Sequence, residues 1–503
     1  MIVKNCGYKT YEQDIRALIQ AFYPGEELVW TEGLPADADL DEICRGIRRC
    51  ADRFEDKTEV KRALYQFLEA TTGHGLPWGT LTGIRPVRIV EMLLQQGYSE
   101  EQAKLRIKEH FRVSEEKTDL MFRIYEQEKT VLGRLGPRQA FRGGFSIYIG
   151  IPFCPTRCLY CSFTSNPLAM WEERVGEYLD AMGKELRQIR HWMDADPDRR
   201  RLQTIYIGGG TPTALSAEAL DRLLTMTEEI MGPSVMKDLC ELTVEAGRPD
   251  SITEAKLQVL KAHGTDRISV NPQTMQQKTL DLIGRAHTAE QTLESFRLAQ
   301  SCGFDNINMD LIMGLPGENE DDVRKTLEIV EELHPESLTV HTLAVKRSSR
   351  LSTEGKAWGG VERKGLDAGG MDEVGRMTAM GALSAERMGL LPYYLYRQKN
   401  MAGNRENVGY AAPGKECIYN ILMMEEKHTV IGVGAGSSTK YVTYGLREDG
   451  PGTGRSAPAG PESGKPDSKI VRRFENIKNV GEYLSRIDEL LMKKESFLNI
   501  DNI

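Results

Sequence analysis

The sequence predicts an α/β protein with a parallel sheet at its centre. Three observations predict it. Short apolar runs alternate with amphipathic helical stretches between residues 145 and 342. Several of those stretches open on capping residues and close on glycine. The region before them patterns mostly as helix, and the region after them mixes helix and strand.

The elements follow in order. Residues 1 to about 140 read as a mostly helical accessory region, with helices over 87–96 and 101–111. The stretch Trp78-Gly-Thr-Leu-Thr-Gly-Ile-Arg-Pro86 is its turn-rich exception. Strands are expected at 145–151, 204–207, 241–245, 267–270, 306–312 and 337–342. The helix at 171–193 puts Val175, Tyr178, Leu179, Met182, Leu186 and Ile189 on one face. The next, at 217–231, carries Leu220, Leu223, Leu224 and Ile230. Helix 253–263 stops at Gly264, which suits a left-handed terminator. Helix 288–302 opens with the capping pair Thr288 and Gln291 and stops at Gly303; helix 320–333 follows.

Six strand–helix units in series imply a parallel sheet with right-handed crossovers. Eight would close a TIM barrel; six make a partial (βα)6 TIM-like barrel over 141–345, with its site in the loops after the strands. Residues 346–503 form an α+β C-terminal region expected to cover the substrate. Within it, 359–370 is Gly-rich and charged, and 447–468, rich in Gly, Pro and Ser, reads as a disordered insertion. The last helix is expected over 480–495.

The chain has 503 residues, 40% hydrophobic and 28% charged, with a net charge of −9. That balance gives no general attraction to nucleic acid or to an anionic membrane. No run of apolar residues is long enough to span a bilayer, and residues 1–30 lack a signal-peptide pattern, so a cytoplasmic protein is expected. The nine cysteines are an odd number, and Cys6, Cys44, Cys50, Cys240, Cys302 and Cys417 are scattered. This fits a reducing compartment, with Cys240 and Cys302 read as buried small apolar groups.

The other three cysteines are Cys154, Cys158 and Cys161, in Gly150-Ile-Pro-Phe-Cys-Pro-Thr-Arg-Cys-Leu-Tyr-Cys-Ser-Phe163. Three thiolates in one tight loop can hold three irons of a cubane and leave the fourth open to a small molecule. Zinc is the alternative, although it favours two spaced ligand pairs, and plain thiols are another. Gly208-Gly-Gly-Thr-Pro-Thr213 follows the second strand; such glycines let backbone approach a ligand. Glu245 ends the third strand, where a carboxylate can accept two hydroxyl hydrogen bonds. Gln273, Arg285 in Gly-Arg-Ala-His-Thr, and Asp310 in Asp-Leu-Ile-Met-Gly-Leu-Pro-Gly stand at successive strand ends.

The C-x3-C-x2-C loop after a first strand, with Tyr160 before its last cysteine, resembles the radical S-adenosylmethionine (SAM) superfamily. The full order of motifs, from Tyr148 and Ile-Pro-Phe-Cys to the Asp310 segment, resembles the oxygen-independent coproporphyrinogen III oxidase family. Residues 78–86 and Arg-Cys-Leu-Tyr-Cys-Ser-Phe look like its HemZ-type branch of coproporphyrinogen dehydrogenases.

That resemblance implies a [4Fe-4S] cluster on Cys154, Cys158 and Cys161, which act catalytically through it, and one or two SAM molecules. It implies SAM contacts at Tyr148, Tyr160, Gly209, Gly210, Thr211, Glu245, Gln273, Arg285, Asp310 and Ala344. Electron transfer to SAM would yield a 5′-deoxyadenosyl radical. The implied reaction is oxidative decarboxylation of two propionates of coproporphyrinogen III to vinyls, giving protoporphyrinogen IX. An external low-potential ferredoxin or flavodoxin would supply electrons. Arg285, Lys346 and Arg347 are candidate partners for the substrate carboxylates, with Arg397 and Arg405 behind them; the last four also read as solvated surface cations.

Two departures from the best-characterised members stand out. Phe163 occupies the position of a further cysteine, and Asn404-Arg-Glu-Asn-Val-Gly-Tyr410 stands where those members have His-Arg-Asn. Haem-delivering paralogues share both departures. A haem-binding trafficking protein is therefore the alternative reading, with His341, His428 and Cys417 as candidate iron ligands. A tRNA-modifying enzyme is disfavoured by the acidic chain and the lack of a basic, aromatic-rich appended domain.

Overall fold

A computed structural model of the chain describes residues 3–4, 12–23, 28–29, 56–83, 85–136, 143–163, 165–196, 199–344, 349–351, 373–397, 405–445 and 468–499. Six strands run in parallel and in chain order: β1 (Gly144–Ile151), β2 (Arg201–Gly209), β3 (Glu241–Gly247), β4 (Arg267–Val270), β5 (Ile307–Met313) and β6 (Ser337–Thr342). The sheet stays open, as a six-strand barrel does. The later strands are β7 (Leu391–Tyr396), β8 (Asn407–Ala411), β9 (Thr429–Val433), β10 (Ser438–Gly445) and β11 (Ser468–Glu475).

These continue the sheet past both of its edges, giving the order β7-β8-β6-β5-β4-β3-β2-β1-β9-β10-β11. β8 lies antiparallel to β6, and β9 parallel to β1. The expected insertion at 447–468 lies outside the described residues except for Ser468, which opens β11. Residues 359–370 lie outside them altogether.

Alternation along the strands explains the layering. Ile147, Ile149 and Ile151 of β1 and Ile205 and Ile207 of β2 enter one apolar core with the surrounding helices, as do Val244, Ile268, Leu311 and Val340. The opposite face is polar and links strand to strand. Ser146 Oγ meets Thr204 Oγ1 at 2.6 Å, and Thr339 Oγ1 donates to Asn308 Oδ1 at 3.1 Å. The barrel interior is thus built to hold polar groups.

The covering helices match the expected ones closely. They are Val175–Ala195, Ala217–Met231, Glu254–Ala262, Ala289–Ser301 and Glu320–Leu333. The first begins later than expected, because residues 168–174 form two 3-10 turns. The expected helix over 480–495 is two helices, Val480–Ser485 and Ile487–Leu498. The break at Arg486 (φ −119°, ψ 21°) has a cause inside the protein. Tyr483 Oη and Lys494 Nζ, one from each helix, both reach the fully buried Glu185, at 2.5 and 2.7 Å.

The helices before the barrel are Glu12–Phe22, Lys57–Thr72, Val87–Gln95, Glu100–Phe111 and Glu115–Gly133. They dock on the C-terminal part of the chain. Arg85 pairs with Glu426, Lys427 Nζ with Glu91 at 2.7 Å, and Arg134 Nη1 with Glu416 at 2.8 Å.

Candidate active site

The cysteine loop leaves the C-terminal end of β1, the side where a barrel of this handedness builds its site. Cys154 and Cys158 are buried, Cys161 is half-buried, and all three are free thiols. The loop is fixed by neighbours from three directions. Leu159 N donates to Ile283 O at 2.9 Å, Leu351 N donates to Leu159 O at 2.9 Å, and Arg248 Nη1 donates to Thr156 O and Oγ1 at 2.9 and 2.7 Å. Arg248 is itself held by Asp250 at 2.6 Å.

Burial pushes the Cys154 thiol up to about 11, and the neighbouring thiols add to it; burial also raises Cys161. Thiols in such a setting stay protonated at neutral pH until a metal takes the place of the proton. Among the described residues no group of His, Cys, Asp or Glu converges on a single ion. A cubane makes a different demand, one sulfur for each of three irons.

The glycine loop lies directly on this cysteine loop. Gly210 N donates to Ile151 O at 2.8 Å and Thr211 N to Phe153 O at 2.7 Å. A Cβ on Gly210 would stand 2.9 Å from Cys154 Sγ and 2.5 Å from Phe153 O, so only glycine fits. Gly209 has φ +114°, which L side chains avoid. Thr211 Oγ1 reaches Cys154 Sγ at 3.5 Å.

One strand further round, a Cβ on Gly208 would meet the Glu245 carboxylate at 3.0 Å. Glu245 Oε1 accepts from Tyr206 Oη at 2.6 Å. Tyr206 stacks on Tyr148 with ring centroids 6.1 Å apart, and on Tyr419 at 4.5 Å. Burial raises the Glu245 carboxyl to about 7, with Asp310 adding to the rise and Tyr206 opposing it.

The remaining candidates line the far wall. Burial pushes Asp310 up, but His341, Asn308 and Thr339 outweigh it and hold its carboxyl below the ordinary value. Asn308 Nδ2 donates to Asp310 Oδ1 at 2.7 Å, and His341 Nε2 lies 3.7 Å from the same oxygen. Gln273 exchanges backbone bonds with this strand: its N–H donates to Asp310 O, and it accepts from Ile312 N, both at 3.0 Å. Its φ of +68° is a left-handed conformation uncommon outside glycine, a local strain of the kind that collects at ligand sites.

Arg285 is buried beside the cysteine loop. It donates to Tyr160 Oη at 3.1 Å and to Asn271 O at 2.6 Å, and its Nε has no partner. Ala344 is half-buried, two residues past the end of β6. The structure therefore brings Gly210, Thr211, Tyr160 and Arg285 to the cysteine loop, while Tyr148 and Glu245 meet through Tyr206, and Gln273 and Asp310 through backbone bonds on the inner strands.

Several residues elude sequence reading. Tyr206, Asn271, Arg248 and Tyr396 hold Glu245, Arg285, the cysteine loop and His341 in turn. Their signal is strand parity: Tyr206 and Asn271 share the inward face of their neighbours. Lys346 and Arg347 lie outside the described residues.

Arg397 and Arg405, read as solvated cations, are both buried. Arg397 lies over the Trp78 ring at 5.0 Å and donates to Leu81 O. Arg405 lines a cavity of 790 Å³ between the N-terminal helices and helix Glu373–Arg387, apart from the cysteine loop. Cys240 and Cys302, read as buried, are exposed and half-buried, because each stands at an element end, before β3 and after helix Ala289–Ser301.

The three candidate haem ligands are engaged within the protein. His341 Nδ1 meets Tyr396 Oη at 3.3 Å. His428 has one ring nitrogen 2.7 Å from Ser146 Oγ and the other 3.0 Å from Gln203. Cys417 Sγ lies 3.3 Å from the buried Glu241 carboxylate, which also accepts from Ile418 N and Tyr419 N.

Residues 148–330 match the Radical SAM superfamily. The chain is 40% identical over 439 residues to the oxygen-independent coproporphyrinogen-III oxidase-like protein HemZ of Bacillus subtilis, a match covering 87% of this chain and 83% of that one. The chain belongs to this coproporphyrinogen oxidase-like family of radical SAM proteins.

The haem chaperone HemW of Bacillus subtilis is 39% identical over 201 residues, 40% of this chain and 51% of its own. A solved structure, the radical SAM enzyme coproporphyrinogen III oxidase HemN of Escherichia coli, aligns with a TM-score of 0.47 and 20% identity over 70% of this chain and 73% of that one. As a radical SAM protein the chain uses a [4Fe-4S] cluster and SAM. Its residues fit both groups. The three cysteines share one tight loop beside the glycine backbone, and Thr243 Oγ1, Ser269 Oγ and Asn271 Oδ1 are buried at successive strands without a partner, as a polar ligand in the barrel would require. Among the described residues no helix is long and apolar enough to cross a membrane.

Proposed function

We propose that this chain oxidatively decarboxylates coproporphyrinogen III to protoporphyrinogen IX. The observation that carries the reading is the contact between the two loops at Gly210 and Cys154, which sets the three cysteines against the glycine-loop backbone at the end of a polar barrel interior. The bound cluster and SAM would supply a one-electron cleavage able to break a strong C–H bond.

The chain's residues would do the rest. Cys154, Cys158 and Cys161 would hold three irons. The backbone of Gly209, Gly210 and Thr211 would take the amino-acid end of SAM. Glu245, oriented by Tyr206, would accept the ribose hydroxyls, and Ala344 would offer backbone to the adenine. Gln273, Arg285 and Asp310 would serve a second SAM or the substrate side; the unpartnered Nε of Arg285 leaves a donor for a carboxylate. Tyr148 and Tyr419 would help exclude water from the interior.

Each propionate loses a hydrogen atom, carbon dioxide and one electron to become a vinyl group. The electron passes to an external acceptor, and a low-potential ferredoxin or flavodoxin would reduce the cluster. The C-terminal region would cover the substrate, and the setting would be cytoplasmic. Protein reconstituted without oxygen, given reductant, SAM and coproporphyrinogen III, should yield product lighter by two carbon dioxides and four hydrogens. SAM cleavage with no mass loss would overturn the substrate assignment.

A haem-trafficking role draws on the likeness to HemW. The internal bonds of His341, His428 and Cys417 weigh against it. A stoichiometric Soret band surviving gel filtration would favour it instead.

A further inference from the structure

We propose that Glu406 is a positioning residue through which the N-terminal helical region sets SAM affinity at the end of β6. The proposal rests on the reading above in one respect, that the chain just past β6 touches SAM.

Glu406 is buried, and both carboxylate oxygens are taken by the N-terminal region. Oε2 accepts from Trp78 Nε1 and Oε1 pairs with Lys117 Nζ, each at 2.7 Å. Its backbone faces the other way: Glu406 O accepts from Thr342 Oγ1 at 3.0 Å. The next side chain completes the grip, as Asn407 Oδ1 accepts from Thr342 N at 2.8 Å. Thr342 ends β6, two residues before Ala344. The dipeptide 406–407 thus holds the strand end by two bonds, and the dipeptide is held by Trp78 and Lys117. A buried, charge-assisted pair of bonds gives a rigid link. Arg397, over the Trp78 ring, closes the other side of that indole.

The position along the barrel sets this link, with the neighbouring Arg397–Leu81 contact, apart from the ties at Arg85 and Arg134. Glu416 and Glu426 precede helix Ile418–Met424 and β9, so Arg134 and Arg85 grip the chain near the end where the parallel strands begin. Glu406 grips where β6 finishes, on the cysteine-loop side.

The test uses the full chain with its cluster reconstituted. SAM is titrated against the EPR spectrum of the reduced cluster, with thermal stability and iron content measured in parallel. Trp78→Phe removes the indole donor and keeps the ring; Glu406→Gln removes the charge. Each should weaken SAM binding about fivefold or more with iron content unchanged, as loss of a bond to a charged group implies. Arg85→Met should lower stability and leave SAM affinity as it was. In a Thr342→Val/Asn407→Ala background, which removes both bonds to the strand end, Trp78→Phe should add little beyond that pair alone, since all three act on one path.

SAM binding of wild-type strength in Trp78→Phe would overturn the linkage, as would an equal loss in Arg85→Met. A wild-type cluster whose spectrum ignores SAM would instead defeat the reading of the site itself.

Discussion

Replacing Gly210 with alanine tests the contact between the two loops. The added Cβ would stand 2.5 Å from Phe153 O, 2.9 Å from Cys154 Sγ and 3.0 Å from Phe153 C. An ordinary contact begins near 3.4 Å, so the carbonyl must retreat by about 0.9 Å. That carbonyl accepts from Thr211 N, and the next residue is Cys154. The retreat therefore pulls a cluster ligand and the glycine loop apart together.

Overpacking of this kind costs roughly 1–3 kcal/mol. Gly264→Ala makes the control, since its φ of +71° imposes backbone strain but a Cβ there meets nothing within 4 Å. Iron and sulfide content, EPR and thermal melting after anaerobic reconstitution supply the readout. Gly210→Ala should lose most of its cluster, whereas Gly264→Ala should lose only stability. Full iron content and an unaltered SAM-dependent spectrum in Gly210→Ala would refute the argument that this glycine is kept for cluster geometry.

Other outcomes follow from the same structure. Cys154→Ala, Cys158→Ala and Cys161→Ala should each abolish the brown colour and SAM cleavage, while Cys240→Ala and Cys302→Ala keep both, as iron assay and absorbance would show. The raised Glu245 carboxyl, moved from 4.5 to about 7, makes its charged form costly in the fold. This group's share of apo-protein stability should fall as pH rises through that window, while SAM affinity rises as the stronger ionised acceptor forms; Glu245→Gln should flatten both profiles. Lys494→Met would leave the buried Glu185 carboxylate its neutral donors Tyr483, Asn476 and Gly434 N but no cation, and should cost roughly 3–5 kcal/mol in chemical denaturation.

The sequence carried the barrel well, because period-2 and period-3.6 patterns report which face of each element is apolar. Residues 267–270 and 337–342 are strands with the expected bounds. The cluster loop and the glycine loop were legible for the same reason: spacing and glycine content are local. What was not legible depends on distant partners. Lys494 lies in the last expected helix with nothing local to mark it, yet Glu185, some three hundred residues away in sequence, draws it into the interior. Arg397 and Arg405 read as solvated because a cation's exposure depends on what folds over it. The left-handed backbone of Gln273 has no signature at all, since it is imposed by β5 through two backbone bonds.

The placing of β9 beside β1 has a consequence for how the protein is made. β1 emerges from the ribosome long before residues 429–433, which cover its outer edge. At roughly 5–20 residues per second, some 280 intervening residues take on the order of 15–55 seconds to synthesise. During that interval nothing covers residues 145–149 on that side. Until then that edge of β1 keeps its backbone donors and acceptors unpaired, an open strand edge of the kind that invites pairing with another chain.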